Sequence, residues 1–329
     1  MEKKALELFN GRILAEAASR YRTSPERLRL IADSESLVYE FRVDNRDYIL
    51  KILHDSHRSI GQIKGEIDWI NFLISHDFPA AGVAASRDGN EIEIIDGDKT
   101  QFYAVAYEKA PGRPVEPSDW TDDFIEHWGE MTGLMHALAK QYKPPDETVR
   151  RPFWHEEYGF VAAKEVLADH PLILEKHLEL VERLSSLPTD IDSFGLIHSD
   201  FEDENMYINN GRLIAFDFDE SQYKWFIYDI AAILRESTWR LPACRRTDDP
   251  CSERFLRTFM RGYNRANRLD RFWLEELPFF LKLRETLVYV YYMGKVDLMK
   301  LSEEVRSATR IMRRRIENGV PLPDIKYRE

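Results

Sequence analysis

Between residues 195 and 220 the chain reads GLIHSDFEDENMYINNGRLIAFDFDE, with seven carboxylates between two apolar runs. Four residues in it have types and spacing that could do chemistry: His198, Asp200, Asn205 and Asp217. Met206 to Ile208 and Arg212 to Phe216 are strand-like, and Asn210-Gly211 between them predicts a two-residue hairpin turn, because both central positions need positive φ. That register pairs 209 with 212 and 208 with 213. Carried on, it brings Asn205 beside Asp217 at the open end, where cross-strand neighbours lie roughly 5 Å apart. An amide oxygen and a carboxylate so placed suit a hard cation such as Mg²⁺, which takes few protein oxygens and completes its shell with phosphate oxygens. Asp200, on the approach loop, is the group left to accept or orient a proton. Transfer of a phosphoryl group to a hydroxyl is the chemistry such a set would serve.

The neighbouring acids have a plainer reading. A loop of solvated carboxylates explains Glu202, Asp203, Glu204 and Glu220, although the first three would also suit a cationic acceptor such as an amino sugar or amino alcohol. Asp219 offers a second register for the metal carboxylate, since alternation sets it on the same face as Asp217. Asp229 reads as the cap or anchor of a helix start. His136, Trp225, Phe226 and Tyr228 read as packed core.

Phosphoryl transfer also needs a cation on the nucleotide phosphates and a group to hold that cation. Lys51 in YILKI lies, by alternation, on the face opposite Leu50 and Ile52, and Glu66 follows on a helix in KGEIDWI. An exposed lysine and a solvated glutamate are the commoner case for any one such pair, but strand lysine and helix glutamate in this order match the phosphate-anchoring pair of kinases. In ADSESLVYEF, Ser34 and Ser36 stand where the glycines of a phosphate-covering turn are expected, and their N–H and hydroxyl groups could donate to phosphate.

The elements that must position these residues follow from periodicity. Residues 3 to 21 read as helix. Leu37 to Val43 and Asp47 to Leu53 read as a hairpin about DNR. Ile63, Ile67, Ile70 and Ile74 form the stripe of a helix that starts at Ile60 and stops before Pro79. Strands are expected at Glu91 to Ile95 and Phe102 to Tyr107, with DGD as their turn. KAPGRP, 109 to 114, reads as a crossing. Beyond it the pattern is helical: a face of Phe124, Trp128, Met131, Leu134, Met135 and Leu138, then amphipathic stretches over 162–184, 254–267 and 274–293. The expected organisation is a β-rich nucleotide-binding lobe over 1–108, a hinge over 109–114 and a larger helical catalytic and substrate lobe over 115–329.

Composition bounds the partners. At 329 residues the chain can build two cores. A net charge of -12 disfavours nucleic acid and favours cationic small molecules, without excluding ATP, whose site is governed locally by a few cations and a metal. Cys244 and Cys251 make neither a zinc set nor a secreted disulfide framework. The N-terminal segment lacks the apolar core of a signal peptide, and Leu287 to Met293 is too short to span a bilayer. A cytoplasmic protein without a membrane partner is expected; oligomeric state is not readable.

The blocks SLVYEF, YILKI, KGEIDWINFL, YEKAPGRPV, GEMTGLMHAL, LIHSDFEDENMYI and IAFDFDESQYKWFIYDIAAIL fall in an order that resembles the aminoglycoside phosphotransferase and choline kinase-like family, small-molecule relatives of the protein kinases. The last two are the most specific, and FDFDE followed by WFIYDIA is especially similar to the bacterial branch that includes stress-response kinases and type II homoserine kinase-like proteins. The resemblance implies an α+β, two-lobed protein kinase-like fold with ATP and Mg²⁺ as cofactors. It implies Asp200 as catalytic base, Asn205 and Asp217 as magnesium ligands, Lys51 on the α- and β-phosphates with Glu66 orienting it, and His198 as organiser of the loop. The backbone of Tyr107 to Lys109, centred on Glu108, resembles the adenine-binding hinge. Two departures are visible: Ser199 replaces the usual glycine after the histidine, and EDEN stands for the common HPGN. The implied activity is transfer of the γ-phosphate of ATP to a hydroxyl of a small molecule, cationic ones included. The rivals are a Ser/Thr protein kinase of the stress-response type, a metal-dependent glycosyltransferase or phosphoesterase in which Lys51 is incidental, and a nucleotide-binding module without catalysis.

Overall fold

The structure, a computed structural model, describes residues 3–33, 35–98, 100–240, 251–323 and 325. Ser34 and Cys244 lie outside them. The chain forms two compact units, one of residues 1–114, 142–151 and 206–219, the other of 115–141, 152–205 and 220–329.

The first unit begins with two short helices, α1 (Lys3–Leu8) and α2 (Gly11–Arg20), where periodicity alone predicts one. Asn10 makes the break: its backbone is extended and its side chain accepts from the N–H groups of Arg12 and Ile13 at 3.0 and 3.3 Å, capping a new helix. Then come β1 (Arg29–Ala32), β2 (Leu37–Val43), β3 (Arg46–His54), α3 (Ile60–Ser75), β4 (Val83–Ala84), β5 (Glu93–Gly97), β6 (Thr100–Glu108) and β7 (Arg113–Pro114). Strands β1 to β6 make one antiparallel sheet, with β3 central between β2 and β6. The β2–β3 turn is Asp44-Asn45, both at positive φ, as a two-residue hairpin requires. The next hairpin pairs Gly97 with Thr100, which places β5 two residues later than the expected 91–95, with Asp96 and Gly97 of DGD in the strand and Asp98 in the turn. Leu50 and Ile52 pack with Ile13, Ala17 and Tyr21 on one side of the sheet, while Leu53 packs with Ile63 and Ile67 of α3 on the other. A capping box between Ser59 and Gln62 fixes where α3 starts.

The second unit holds α4 (Asp122–Ala139), α5 (Tyr158–Val161), α6 (Ala163–Val166), α7 (Pro171–Ser185) and β8 (Phe194–Ile197). The expected helix over 162–184 is interrupted because Pro171, which cannot continue a helix, opens α7 as its first residue. Strands β9 (Met206–Asn209) and β10 (Arg212–Ala215) then pair with each other and with β7 inside the first unit. The chain continues in the second unit with β11 (Gln222–Trp225), which pairs with β8, then α8 (Phe226–Arg240), α9 (Cys251–Ala266), α10 (Arg271–Glu275), α11 (Leu277–Lys295) and α12 (Glu303–Asn318). Helices α4 and α9 meet backbone to backbone. A Cβ on Gly129 would land on the Phe259 carbonyl oxygen and one on Gly262 on that of Glu126, so only glycine permits the approach. The rings of Phe255 and Phe259 meet Trp128 edge-on in the same interface. Among the described residues no helix is long and apolar enough to cross a membrane.

Candidate active site

In the first unit the site is built around Lys51. Its strand is bonded on both sides, with Val38 of β2 and Val105 of β6 as cross-strand partners. The side chain is only 9% exposed, and Nζ lies 2.9 Å from Asp217 Oδ1 and 3.6 Å from Asp219 Oδ2. Burial alone would lower the ammonium pKa, but Asp217, Asp219 and Glu66 outweigh it and hold the lysine charged, above its ordinary value.

Asp217 reaches this position from the end of the β9–β10 hairpin. The hairpin has the register read from Asn210-Gly211, with 209 opposite 212 and 208 opposite 213, and both turn residues have positive φ. The ladder stops at Met206 and Ala215, one pair short of the expected extension to 205. Asp217 itself sits at φ 62, a left-handed conformation that a residue with a Cβ holds only under constraint. Its side chain is 49% exposed, so its carboxylate is open to a ligand as well as to Lys51.

Asp219 has the opposite character. It is buried, its carboxylate lies 3.1 Å from His57 Nε2 and accepts from Arg58 Nε at 3.2 Å, and its carbonyl oxygen accepts from Arg58 and Arg151. Burial pushes its pKa up, yet Lys51, Arg58 and His57 prevail and hold it well below the usual carboxylate range. Glu35, His57 and Asp219 bring ligand atoms within 4.8 Å of one another, and in the same cluster Arg58 and Lys51 lie against the Asp219 carboxylate.

Glu66 joins the same network from α3. Its Oε1 accepts from the Tyr107 hydroxyl at 2.9 Å, and its Oε2 lies 3.7 Å from Arg151 Nη1. Burial and the nearby Asp219 raise its pKa, against the pull of Lys51 and Arg151. The nearest anions of Lys51 are thus the two aspartates, and Glu66 acts on it through charge. Arg151, 1% exposed and bonded to the Gln62 carbonyl at 2.8 Å, ties these elements together; no local pattern in the sequence marks it, nor His57 or Arg58. Ser36 is buried. Glu108 closes β6 with an exposed side chain; its N–H donates to Gly82 at 2.8 Å and that of Lys109 to Asp47 at 3.1 Å, so both are committed to the sheet.

In the second unit β8 delivers the loop that holds His198, Ser199 and Asp200. Asp229 fixes it from α8: one oxygen accepts from the His198 N–H at 3.1 Å, the other from the Ser199 N–H at 2.7 Å. Asp229 is fully buried, and its Oδ2 is also 3.1 Å from His136 Nε2, whose Nδ1 is 2.9 Å from the Tyr263 hydroxyl. It therefore anchors the loop rather than a helix start. His136 is core, as are Trp225, Phe226 and Tyr228. His198 is buried, with its ring tilted on Phe201. Ser199 occupies a left-handed position, φ 71, where glycine would cost less, and its Oγ accepts from Gln222 Nε2 at 2.9 Å.

Asp200 is one-third exposed. The Asn205 side-chain N–H group donates to its carbonyl oxygen at 2.8 Å and to its Oδ2 at 3.2 Å. Arg284 Nη2 lies 3.0 Å from its Oδ1. Because the nitrogen of the Asn205 amide is spent on Asp200, the atom left for a cation is its oxygen. Taken singly, this amide oxygen and, in the first unit, the half-exposed Asp217 carboxylate are each hard donors of the kind Mg²⁺ takes, so the residue types present fit that ion. Of the flanking acids, Glu204 is exposed as a solvated loop expects, while Glu202 and Asp203 are not. Glu202 is largely buried beside Arg284 at 3.1 Å; burial, Asp200 and Glu236 raise its pKa well above the ordinary value. Arg240 pairs with Asp203 at 2.8 Å and Glu204 at 2.7 Å.

Comparison with known proteins gives the family. Residues 27–275 match the family described as phosphotransferase enzyme family. The amicoumacin kinase of Bacillus subtilis (strain 168) is 37% identical over 312 residues, 94% of this chain and 93% of its own. A solved amicoumacin kinase, in complex with AMP-PNP, Ca²⁺ and Ami, matches with a TM-score of 0.93 at 34% identity over 99% of this chain and 98% of that one. A microcompartment-associated aminopropanol kinase shares the fold, with a TM-score of 0.74 at 21% identity over 94% and 95% of the two chains. From the sequence blocks, the lysine–aspartate pair, the anchored aspartate loop and these matches, the chain belongs to the phosphotransferase enzyme family, with a protein kinase-like fold.

Proposed function

We propose that this protein transfers the γ-phosphate of ATP to a hydroxyl group of a small molecule, and that its acceptor is amicoumacin or a compound close to it. The observation that carries this reading is the loop at Asp200, a one-third exposed carboxylate held by Asn205 next to a backbone clamped on a buried Asp229, in a chain 37% identical to an amicoumacin kinase over nearly its whole length. A cationic acceptor fits the net charge of -12.

Each residue has a task in this reading. Asp200 accepts or orients the proton of the acceptor hydroxyl, and Asp229 with His198 and Ser199 keeps the loop in place. Lys51, held charged by its two aspartates, neutralises the nucleotide phosphates, and Glu66 with Tyr107 and Arg151 fixes the helix behind it. Ser36 would donate to the phosphates, and the backbone at Glu108 would receive the base through groups other than the two committed N–H donors. Asn205 and Asp217 would hold Mg²⁺, which when bound neutralises the charge that develops on the transferred group.

The test is direct. Purified protein with ATP, Mg²⁺ and amicoumacin should yield a product heavier by one phosphoryl group, and a parallel panel of amino sugars and amino alcohols ranks other acceptors. Asp200→Asn should lower turnover about 10²- to 10⁴-fold, while ATP with Mg²⁺ still raises the melting temperature. Unchanged turnover in Asp200→Asn would refute the assignment.

A further inference from the structure

Asp200 is gripped from two directions. Asn205, from its own loop, takes Oδ2 at 3.2 Å, and Arg284, from α11, takes Oδ1 at 3.0 Å. The same Arg284 nitrogen stands 3.1 Å from Glu202 Oε1 and 3.9 Å from Glu236 Oε1. Glu236 has a cation of its own in Arg235, bonded to it from the adjacent position of α8. The close anionic partners of Arg284 are therefore Asp200 and Glu202, and the Tyr228 hydroxyl also interacts with it. Around it α11 presents Leu281, Leu283 and Leu287, all buried. An apolar residue at 284 would suit such a helix without the desolvation that a buried guanidinium incurs.

We propose that Arg284 is a positioning residue for the transfer, which clamps one oxygen of Asp200 while Asn205 holds the other and so aims the carboxylate at the acceptor hydroxyl. This rests on the role proposed above for Asp200. The flat guanidinium donates along fixed directions, which a lysine ammonium does not, so orientation and not charge alone is what the arginine supplies. In phosphoryl transfer the transition state is loose and the aspartate chiefly orients the nucleophile. In the neighbouring acidic run, Asp203 and Glu204 are held by Arg240, which leaves Arg284 as the cation in contact with Asp200 among the described residues.

Arg284→Met, Arg284→Lys and Asp200→Asn are compared with the unaltered protein. ATP turnover is measured at saturating ATP with amicoumacin as acceptor and, separately, with water. Arg284→Met should lower kcat about 10- to 100-fold, the size of effect that misaligning one reacting group by an ångström produces. The KM for ATP should stay within about threefold, since nucleotide binding is not what the clamp serves. Arg284→Lys, which restores the charge without the fixed donor direction of the planar guanidinium, should recover only part of kcat. Wild-type kcat in Arg284→Met would overturn the proposal, as would a loss confined to the KM for ATP. Should Arg284→Met not melt cooperatively, Arg284→Lys decides alone, and wild-type kcat in it has the same meaning. If Asp200→Asn is inactive while the Arg284 variants are unaffected, only this inference falls; if Asp200→Asn is also unaffected, it is the role of Asp200 that has failed.

Discussion

Ser199 offers a test in which the usual order of two substitutions reverses. At an ordinary helical or extended position, alanine is more stabilising than glycine by about 0.5–1 kcal/mol, because glycine loses more backbone freedom on folding. Ser199 has φ 71, and there a Cβ meets the following carbonyl at a cost of about 1–2 kcal/mol. Ser199→Ala and Ser199→Gly both lose the hydrogen bond from Gln222, so that loss cancels between them. What remains is the backbone difference: about 1–2 kcal/mol in favour of glycine less about 0.5–1 kcal/mol in favour of alanine, a net of about 0.5–1 kcal/mol for glycine, or roughly a two- to fivefold change in the unfolding constant. Urea unfolding followed by tryptophan fluorescence, at fixed pH and salt, should give Ser199→Gly the higher midpoint with equal slopes. Because Asp229 grips the N–H of residue 199 and not its side chain, Ser199→Gly should also keep most of its turnover. A higher midpoint for Ser199→Ala would mean that residue 199 is not left-handed, and the account of how the loop is held would fall with it.

Two further perturbations probe the buried charges. Arg151→Met removes the cation facing Glu66 and the donor to the Asp219 and Gln62 carbonyls, leaving a buried carboxylate less well compensated; the expected loss is about 3–5 kcal/mol, and an unfolding free energy within about 1 kcal/mol of the unaltered protein would contradict it. His177, on α7, is buried beside Phe160, and desolvation lowers its pKa to about 4 against the weaker pull of Glu157. Its folded-state pKa is thus below the unfolded value of about 6.5, so the stabilisation is complete above pH 6.5 and is lost as the pH falls towards 4, by up to about 3 kcal/mol. His177→Gln should flatten the stability profile over that interval, and parallel profiles would show that the histidine charges freely in the folded state.

The parts of the site that could be read in advance are those whose cause is local. Asn210-Gly211 specifies positive φ twice, and with it the register of β9 and β10. Alternation in YILKI places Lys51 opposite Leu50 and Ile52, and the packing of those residues bears this out. Local signals were also outweighed: periodicity hid the cap at Asn10 and the interruption at Pro171, although both residue types are helix punctuation. The contacts that could not be read join distant positions, Arg151 to Asp219 across 68 residues and Arg284 to Asp200 across 84. No periodicity links such pairs, because what brings them together is the tertiary packing of loops and elements far apart in the chain.

This separation also accounts for the carboxylates that make the stretch from 195 to 220 look overcharged. Read alone, the run lacks counter-ions, which invites either a solvated loop or a cationic ligand. In the folded chain Asp217 and Asp219 share Lys51, Asp200 and Glu202 share Arg284, and Asp203 and Glu204 share Arg240. Six of the seven acids thus have a cation of the protein itself as a partner, the three cations being drawn from β3, α11 and α8. A positively charged acceptor group approaching Asp200 would meet a carboxylate already in contact with a fixed guanidinium, so attraction of cations by the bare excess of acid does not by itself explain recognition there. Selectivity for an amine next to the reacting hydroxyl would have to come from a carboxylate outside these pairs, or from displacement of Arg284 or Arg240. The ionic-strength dependence of acceptor KM separates these cases: long-range attraction weakens steeply with added salt, whereas a buried exchange of one cation for another changes little.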